Sequence, residues 1–142
     1  RAETITADDI DQLGSGFSGH GDKLDVVVFA APQLSIVEMQ QLAGLCRGAK
    51  FKVPVIVCTA PQVIGDARRM GFAAQIEAAG GTILEGTCFY NQYAREIGEA
   101  NGWVRLLSNS AKIVNILGGY GYKPALASME NCVASAIEGV IQ

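Results

Sequence analysis

The segment Ser108-Asn109-Ser110-Ala111-Lys112 brings two hydroxyls, an amide and a lysine together between a predicted strand and a predicted helix. Backbone N–H groups at a helix start, hydroxyls beside them and a cation one turn further on can hold a carboxylate or a phosphate. A plainer interpretation is that Ser108 or Ser110 caps the helix and Lys112 is solvated, and spacing alone favours it. The segment lacks the G-x-x-x-x-G-K-[ST] spacing of a P-loop.

The four cysteines form no CxxC pair and no disulfide-framework spacing. Cys88 follows a short predicted strand among small polar residues, where a thiolate can act as a nucleophile or an iron ligand; burial as a small hydrophobic side chain is an equal alternative. Cys58 ends a very apolar strand, and Cys46 and Cys132 lie on apolar helix faces, so all three are predicted to be buried. His20, the only histidine, lies in a Gly/Ser-rich loop, and we predict a surface position with no catalytic partner.

Composition sets the broad class of the protein. The 142 residues are 49% hydrophobic and 18% charged, which predicts one domain over residues 1–142 with a well-buried core, residues 1–22 being partly linker-like. The net charge of −3 gives no support for binding to nucleic acid or to an anionic membrane. Without an apolar run of about 18 residues or a signal peptide, a reducing cytoplasm is the expected compartment.

Short β-rich runs alternate with amphipathic segments, which is typical of an α/β fold. We expect three layers, a parallel or mostly parallel sheet with helices on both faces. The predicted strands are residues 24–30, 53–58, 82–84, 104–107 and 125–127, and the predicted helices are 6–14, 36–46, 61–70, 73–79, 92–100, 110–117 and 128–139. Parallel sheets bind ligands beyond the carboxyl ends of their strands. Residues 31–35, 58–61, 86–89 and 108–112 are therefore expected to converge on one edge.

Five segments, taken in chain order, resemble the C-terminal part of the catalytic (large) subunit of the aconitase X family. They are residues 24–38 (a strand, a turn ending in serine and a helix), 53–59 (the next strand), 78–88 (ending in Gly-Thr-Cys), 107–112 (Leu-Ser-Asn-Ser-Ala-Lys) and 128–136 (the closing helix). Each motif is weak alone, and the specificity comes from the ordered set.

This resemblance implies an aconitase-like domain of a hydro-lyase that dehydrates a small hydroxy acid, such as a cis-3-hydroxyproline or a phosphorylated mevalonate, with an iron–sulfur cluster as Lewis acid. It implies that Cys88 supplies one thiolate, with Cys58 a weaker candidate. It also implies that Asn109, Ser110 and Lys112, beside Ser108, bind the anionic group of the substrate. The other ligands and the acid/base would come from an upstream catalytic region and a small swivelling domain or subunit, so we expect the isolated chain to be inactive.

Four positions depart from the family pattern. Gln33 stands where the resemblance leads us to expect histidine, Gly86 replaces an acid, and Ala111 replaces a glycine. Residues 115–118, Asn-Ile-Leu-Gly, replace a stretch that contains histidine and tyrosine. These departures leave open a different substrate, or a non-catalytic α/β module for assembly or regulation. A nucleotide-binding α/β domain is a weaker alternative, because the G-x-G-x-x-G fingerprint is also absent.

Overall fold

The computed structural model describes residues 4–142 as an α/β fold around one five-stranded parallel sheet, which confirms the predicted fold class. The strands are β1 (Val26–Leu34), β2 (Val55–Thr59), β3 (Gly81–Glu85), β4 (Arg105–Ser108) and β5 (Lys123–Leu126). Their order across the sheet is β3-β2-β1-β4-β5, and every neighbouring pair is parallel. The chain fills one side of β1 first and then crosses to the other side.

Within the described residues, seven α-helices connect or flank these strands, and serine or threonine caps begin four of them. The helices are α1 (Ala7–Ser15), α2 (Ile36–Cys46), α3 (Pro61–Arg69), α4 (Phe72–Ala79), α5 (Ala94–Asn101), α6 (Ala111–Leu117) and α7 (Met129–Glu138), with 3₁₀ turns at Phe89–Asn91 and Gly118–Tyr120. At the predicted break between α3 and α4, Gly71 adopts φ +80°, a conformation that a side chain disfavours. Within residues 4–142, no helix has both the length and the apolar character needed to cross a membrane.

The central strand β1 is buried on both faces, as expected for a strand inside a parallel sheet. Val27 and Phe29 pack into the core on the face covered by α2, α3, α4 and α7. Val26, Val28 and Ala30 pack on the opposite face, beneath α5, α6 and the first 3₁₀ turn. Burial of each such large side chain stabilises the fold by about 1.5–3 kcal/mol, so the two cores hold the sheet from both sides.

Strand β1 continues to Leu34, past the predicted end at residue 30. Its pairing with β2 shifts between Phe29 and Leu34. Ala31 adopts φ +50° there, and the next residue, Pro32, has no N–H for the ladder. The buried Thr59 hydroxyl then donates to the Leu34 carbonyl at 2.7 Å, which rejoins the strands. The predicted boundary was wrong because this tertiary contact extends the strand beyond its local break.

The N-terminal segment begins with a helix that is predicted correctly in type and position. Thr6 caps α1 in a capping box with Asp9, yet no side chain of α1 is buried. After α1, the Phe17 carbonyl accepts from the Leu126 N–H, and the Gly21 N–H donates to Ile141, so the chain is tied to the sheet and to the C-terminus. The linker-like prediction for residues 1–22 also covers residues 1–3, which lie outside the described part.

At the amino-terminal ends of the strands, Asp25 holds the start of β4 and Tyr122 holds α5. The Asp25 carboxylate accepts from the backbone N–H groups of Val104 and Arg105 at 3.0 and 2.9 Å. Burial raises the pKa of Asp25, but these donors and nearby lysine charge outweigh it, so the pKa is lowered overall. Gly98 in α5 packs against Tyr122, whose hydroxyl donates to the Ala94 carbonyl at 2.7 Å.

Candidate functional site

The direction in which the chain adds strands reverses between β1 and β4, whose carboxyl ends lie side by side. From β1 the chain builds β2 and β3 on one side, and β4 and β5 on the other. In open α/β sheets, such a point of reversal is where ligands bind. The segment at residues 108–112 leaves β4 at this point, and the extended end of β1 lies beside it.

Two buried serine hydroxyls join the end of β4 and the start of α6 to β1. The Ser108 hydroxyl donates to the Val28 carbonyl at 2.6 Å, and the Ser110 hydroxyl donates to the Ala31 carbonyl at 2.6 Å. The Ser110 oxygen also accepts from the Ile113 N–H at 3.3 Å and so caps α6. The helix-cap interpretation is confirmed for Ser110. Ser108 instead accepts from the Ser110 N–H at 3.2 Å and supports the turn before the helix.

The other two predicted anion-binding residues lie nearer to solvent. Asn109 is half-buried and Lys112 is exposed on the first turn of α6. The Lys112 ammonium lies 5.6 Å from the centre of the Tyr90 ring, a cation–π distance. Tyr90 belongs to the 3₁₀ turn that begins directly after Cys88. This contact therefore brings the predicted lysine and the predicted thiolate segment to the same edge.

The loop that carries Cys88 is hydrogen-bonded to β2 and to β1, the two strands that lie between β3 and β4 in the sheet. Leaving β3, the Gly86 N–H donates to the Thr59 carbonyl at 2.9 Å. The Gln33 side chain, from the end of β1, donates to the Thr87 carbonyl at 2.8 Å. The segments at residues 31–35, 58–61, 86–89 and 108–112 are thus joined by hydrogen bonds at one edge, as predicted.

Cys88 itself is half-buried between two anchored neighbours. Before it, the Thr87 hydroxyl accepts from the Gln92 side chain at 2.6 Å. After it, Phe89 is fully buried and meets Tyr122 edge-on, with ring centres 6.1 Å apart. The backbone at Cys88 is extended, with φ −123° and ψ 144°. An anchored main chain around a partly accessible cysteine is compatible with a thiolate ligand.

The other three cysteines are buried, as predicted. Burial raises the pKa of the Cys58 thiol to about 11, and the neighbouring Cys88 adds to the rise. Burial also raises the pKa of Cys46 to about 11 and that of Cys132 to about 12. Because their side chains are buried, these three cysteines are not accessible to a cluster in this conformation. His20 is exposed, which confirms its predicted surface position.

Within the part of the chain that the structure describes, no group of three or more His, Cys, Asp or Glu side chains is arranged to hold a metal ion. Cys88 fits a cluster only as a single thiolate. Structural and catalytic clusters are held by several ligands, commonly cysteines. A cluster at this edge would therefore need ligands from outside the described residues.

Four residues that make contacts at this edge were not singled out from the sequence as site residues. Gln33 and Thr59 lie in segments that were predicted to converge there, and Gln33 also departs from the family pattern. Tyr90 and Gln92 carried no sequence signal for a role at this edge. Their contacts join residues from different strands and turns, so the roles depend on which strands are neighbours.

Comparison with known proteins shows the family of this chain. The profile of the aconitase X third domain matches residues 24–138, which includes the whole sheet and the carboxyl edge. The chain belongs to the aconitase X family. The match confirms the family resemblance drawn from the ordered motifs, and it assigns the resemblance to the third domain.

Two curated relatives are dehydratases. The chain is 30% identical over 116 residues to the phosphomevalonate dehydratase large subunit of Methanothermobacter thermautotrophicus, which covers 82% of the chain and 28% of that protein. It is 29% identical over 120 residues to the cis-3-hydroxy-L-proline dehydratase of Pseudomonas aeruginosa, covering 82% of the chain and 20% of that protein. The chain thus spans less than a third of either relative.

A solved structure shares the fold. The crystal structure of Thermococcus kodakaraensis aconitase X (holo-form) matches with a TM-score of 0.76 at 21% identity. The match covers 94% of this chain and 34% of that one. The aconitase X fold seen there is therefore the fold of this chain.

Proposed function

We propose that this chain is the C-terminal portion of an aconitase X-type hydro-lyase that removes water from a small hydroxy acid. One observation carries the proposal: in a member of this family, the Cys88 loop and the Lys112 segment meet at the sheet's point of reversal, joined through Tyr90. The relatives named as dehydratases support the reaction class.

In this proposal, Cys88 supplies one thiolate to an iron–sulfur cluster. A bound cluster with an open iron position would polarise the hydroxyl that leaves as water. This chain's part is to hold the sulfur at the edge, through the anchored residues Thr87 and Phe89 on either side. Cys58 stays a weaker candidate, because its side chain is fully buried.

The anionic group of the substrate would bind at the start of α6. Lys112 offers the positive charge and Asn109 an amide, and both are more accessible than the two serines. Ser108 and Ser110 contribute to the site by fixing the turn against β1, with their hydroxyls donating to main-chain carbonyls. Tyr90 limits the positions that the Lys112 ammonium adopts. Fixed donors of this kind orient an anion without reorganising during the reaction.

In this proposal, the carboxyl edge of the sheet that carries Cys88 and Lys112 is one wall of a cleft. We propose that an upstream catalytic region supplies the remaining cluster ligands and the acid/base, and that a small swivelling domain or subunit closes the cleft. The relative from Methanothermobacter thermautotrophicus is a large subunit, which supports a smaller partner. The isolated chain is then inactive, and the complete enzyme works in the cytoplasm.

The test uses the chain with all of its flanking sequence and any small partner, purified without oxygen, with iron and sulfide quantified. Cys88→Ser is compared with Cys58→Ala, which removes a neighbouring buried sulfur and leaves Cys88 in place. We expect iron and sulfide in the parent and in Cys58→Ala, and their loss in Cys88→Ser. Iron retained in Cys88→Ser refutes the cluster role of this residue.

A second test addresses the anion site. If Lys112 binds the substrate's anionic group, Lys112→Ala raises KM for the hydroxy-acid substrate by about tenfold to a hundredfold, because a charge-assisted bond contributes about 1.5–3 kcal/mol. Lys112→Arg retains the charge and part of the affinity. An unchanged KM in Lys112→Ala would remove this residue from the site.

The alternative is a non-catalytic assembly or regulatory module. It is favoured by the departures at residues 33, 86 and 111, which fall at the proposed site. Absence of iron from the parent, under conditions that load a known cluster enzyme, would favour this alternative.

A further inference from the structure

We propose that Gln33 and Gln92 are positioning residues that clamp Thr87 and thereby fix the main chain at Cys88. The catalytic meaning of this clamp rests on the function proposed above, whereas its existence depends only on the contacts of this chain. Neither glutamine is assigned a role by the family match or by the relatives.

The first contact bridges distant parts of the fold. Gln33 lies near the end of β1, and its side-chain N–H donates to the Thr87 carbonyl at 2.8 Å across 54 residues of sequence. Strand β2 lies between β1 and β3, which leads into the Thr87 loop. The Gln33 side chain therefore reaches past the carboxyl end of β2 to the loop that follows β3. The bond is partly buried, so water competes with it only in part.

The second contact closes the loop on itself. The side-chain N–H of Gln92, at the end of the 3₁₀ turn, donates to the Thr87 hydroxyl at 2.6 Å. Thr87 is thus held at its main-chain carbonyl by one glutamine and at its side chain by the other. Since Phe89 is fully buried, the two residues that flank Cys88 are both fixed.

Amide chemistry suits this task. A glutamine side chain carries no titratable proton, so it donates the same hydrogen bond at every pH at which the protein is folded. Gln33 consequently cannot serve as a general acid or base. Its contribution is to hold the loop, and through the loop the direction of the Cys88 side chain.

The experiment measures amide hydrogen exchange of residues 86–92 in the chain with its flanking sequence, for Gln33→Met and Gln92→Met. Methionine keeps the length of the side chain and removes the donor. Each variant is expected to exchange about threefold to tenfold faster in this segment, the change in local opening that one neutral hydrogen bond supports. Gln41→Met is the matched control, because Gln41 makes an exposed side-chain bond to Glu130 far along the sequence.

Two further readouts separate positioning from general destabilisation. Alkylation of Cys88 in the iron-free protein, followed by peptide mass spectrometry, should accelerate by a similar factor in both variants, while Cys46 and Cys132 stay protected as internal reporters of unfolding. Gln33→His restores a side-chain N–H donor and should return both exchange and alkylation towards the parent values. If Gln33→Met does not fold, Gln92→Met decides the outcome, because Gln92 is exposed and its loss leaves the core intact.

Unchanged exchange in Gln92→Met and in a folded Gln33→Met overturns the clamp. Equal acceleration in Gln41→Met overturns it as well, because the effect would then be unspecific. Faster exchange in the clamp variants, with iron retained in Cys88→Ser, would leave the clamp standing and remove the cluster role. Iron lost in Cys88→Ser, with unchanged exchange in the clamp variants, would do the reverse.

Discussion

Removal of the Ser110 hydroxyl tests the joint between β1 and β4. This hydroxyl makes two bonds, one to the Ala31 carbonyl at 2.6 Å and one from the Ile113 N–H at 3.3 Å. Loss of an N-cap side chain costs about 1 kcal/mol. A buried carbonyl left without its donor costs roughly another 1–2 kcal/mol. We therefore expect Ser110→Ala to lower the free energy of unfolding by about 2–3 kcal/mol.

Ser128→Ala provides the matched control. Ser128 also caps a helix, α7, through its bond from the Asn131 N–H at 3.2 Å, but it is exposed. Its removal should lower the free energy of unfolding by only about 1 kcal/mol. Both variants remove the same atom at the same helix position, so an excess effect of Ser110→Ala over Ser128→Ala reports the Ser110–Ala31 bond.

Urea unfolding of the 142-residue chain, followed by circular dichroism, measures the effect. With a dependence of about 2 kcal/mol per molar urea, Ser110→Ala should shift the midpoint by about 1–1.5 M and Ser128→Ala by about 0.5 M. Equal shifts would mean that the Ser110–Ala31 hydrogen bond adds no stability beyond that of the helix cap. The reasoning that Ser110 fixes the turn against β1 would then be refuted.

Three further outcomes follow from individual contacts. Because the folded-state pKa of Asp25 is lowered, its carboxylate stabilises the fold above the unfolded pKa of about 3.9, and this stabilisation is lost as the pH falls through the folded pKa. Urea midpoints of Asp25→Asn should thus lie below those of the parent at pH 7 and approach them as the pH falls through the folded pKa, whereas a pH-independent gap would contradict this origin. Gly98→Ala places a methyl carbon 2.7 Å from the Tyr122 hydroxyl oxygen and should destabilise by about 1–3 kcal/mol. Gly44→Ala, on a helix with open space, should stabilise by about 0.5–1 kcal/mol, and thermal unfolding showing the same sign for both glycines would be inconsistent with the packing. Ellman's reagent at pH 8 should titrate Cys88 in the native chain and all four thiols in denaturant; two or more fast native thiols would show that a buried cysteine opens readily.

Local patterns in the sequence predicted most of the elements. The apolar run before residue 30 predicts a central strand, because a strand covered on both faces needs apolar side chains on both. Caps at Ser35 and Ser128 mark helix starts through bonds to residues only three positions away. Burial of Cys58 follows in the same way from its apolar strand. Since these features depend on neighbouring residues, a single sequence carries them.

Boundaries were less well determined where a contact outside the element takes part. The helix predicted for residues 92–100 begins at Ala94, after Tyr93 with φ +56°, and Gln92 lies at the end of the preceding 3₁₀ turn, where it bonds to Thr87. The extension of β1 to Leu34 likewise requires Thr59 from the next strand. Neither partner is marked in the local pattern.

The sequence by itself determined the α/β class, the family through its ordered motifs, and the edge of the sheet at which polar residues gather. Only the tertiary structure decided how those residues are used. The Ser110 hydroxyl donates to the Ala31 carbonyl, and the Gln33 side chain donates to the Thr87 carbonyl. The Lys112 ammonium lies over the Tyr90 ring. The reason is physical: each contact joins segments far apart along the chain, and their separation in space is set by the strand order and by the break in β1, which emerge only when the whole sheet is packed.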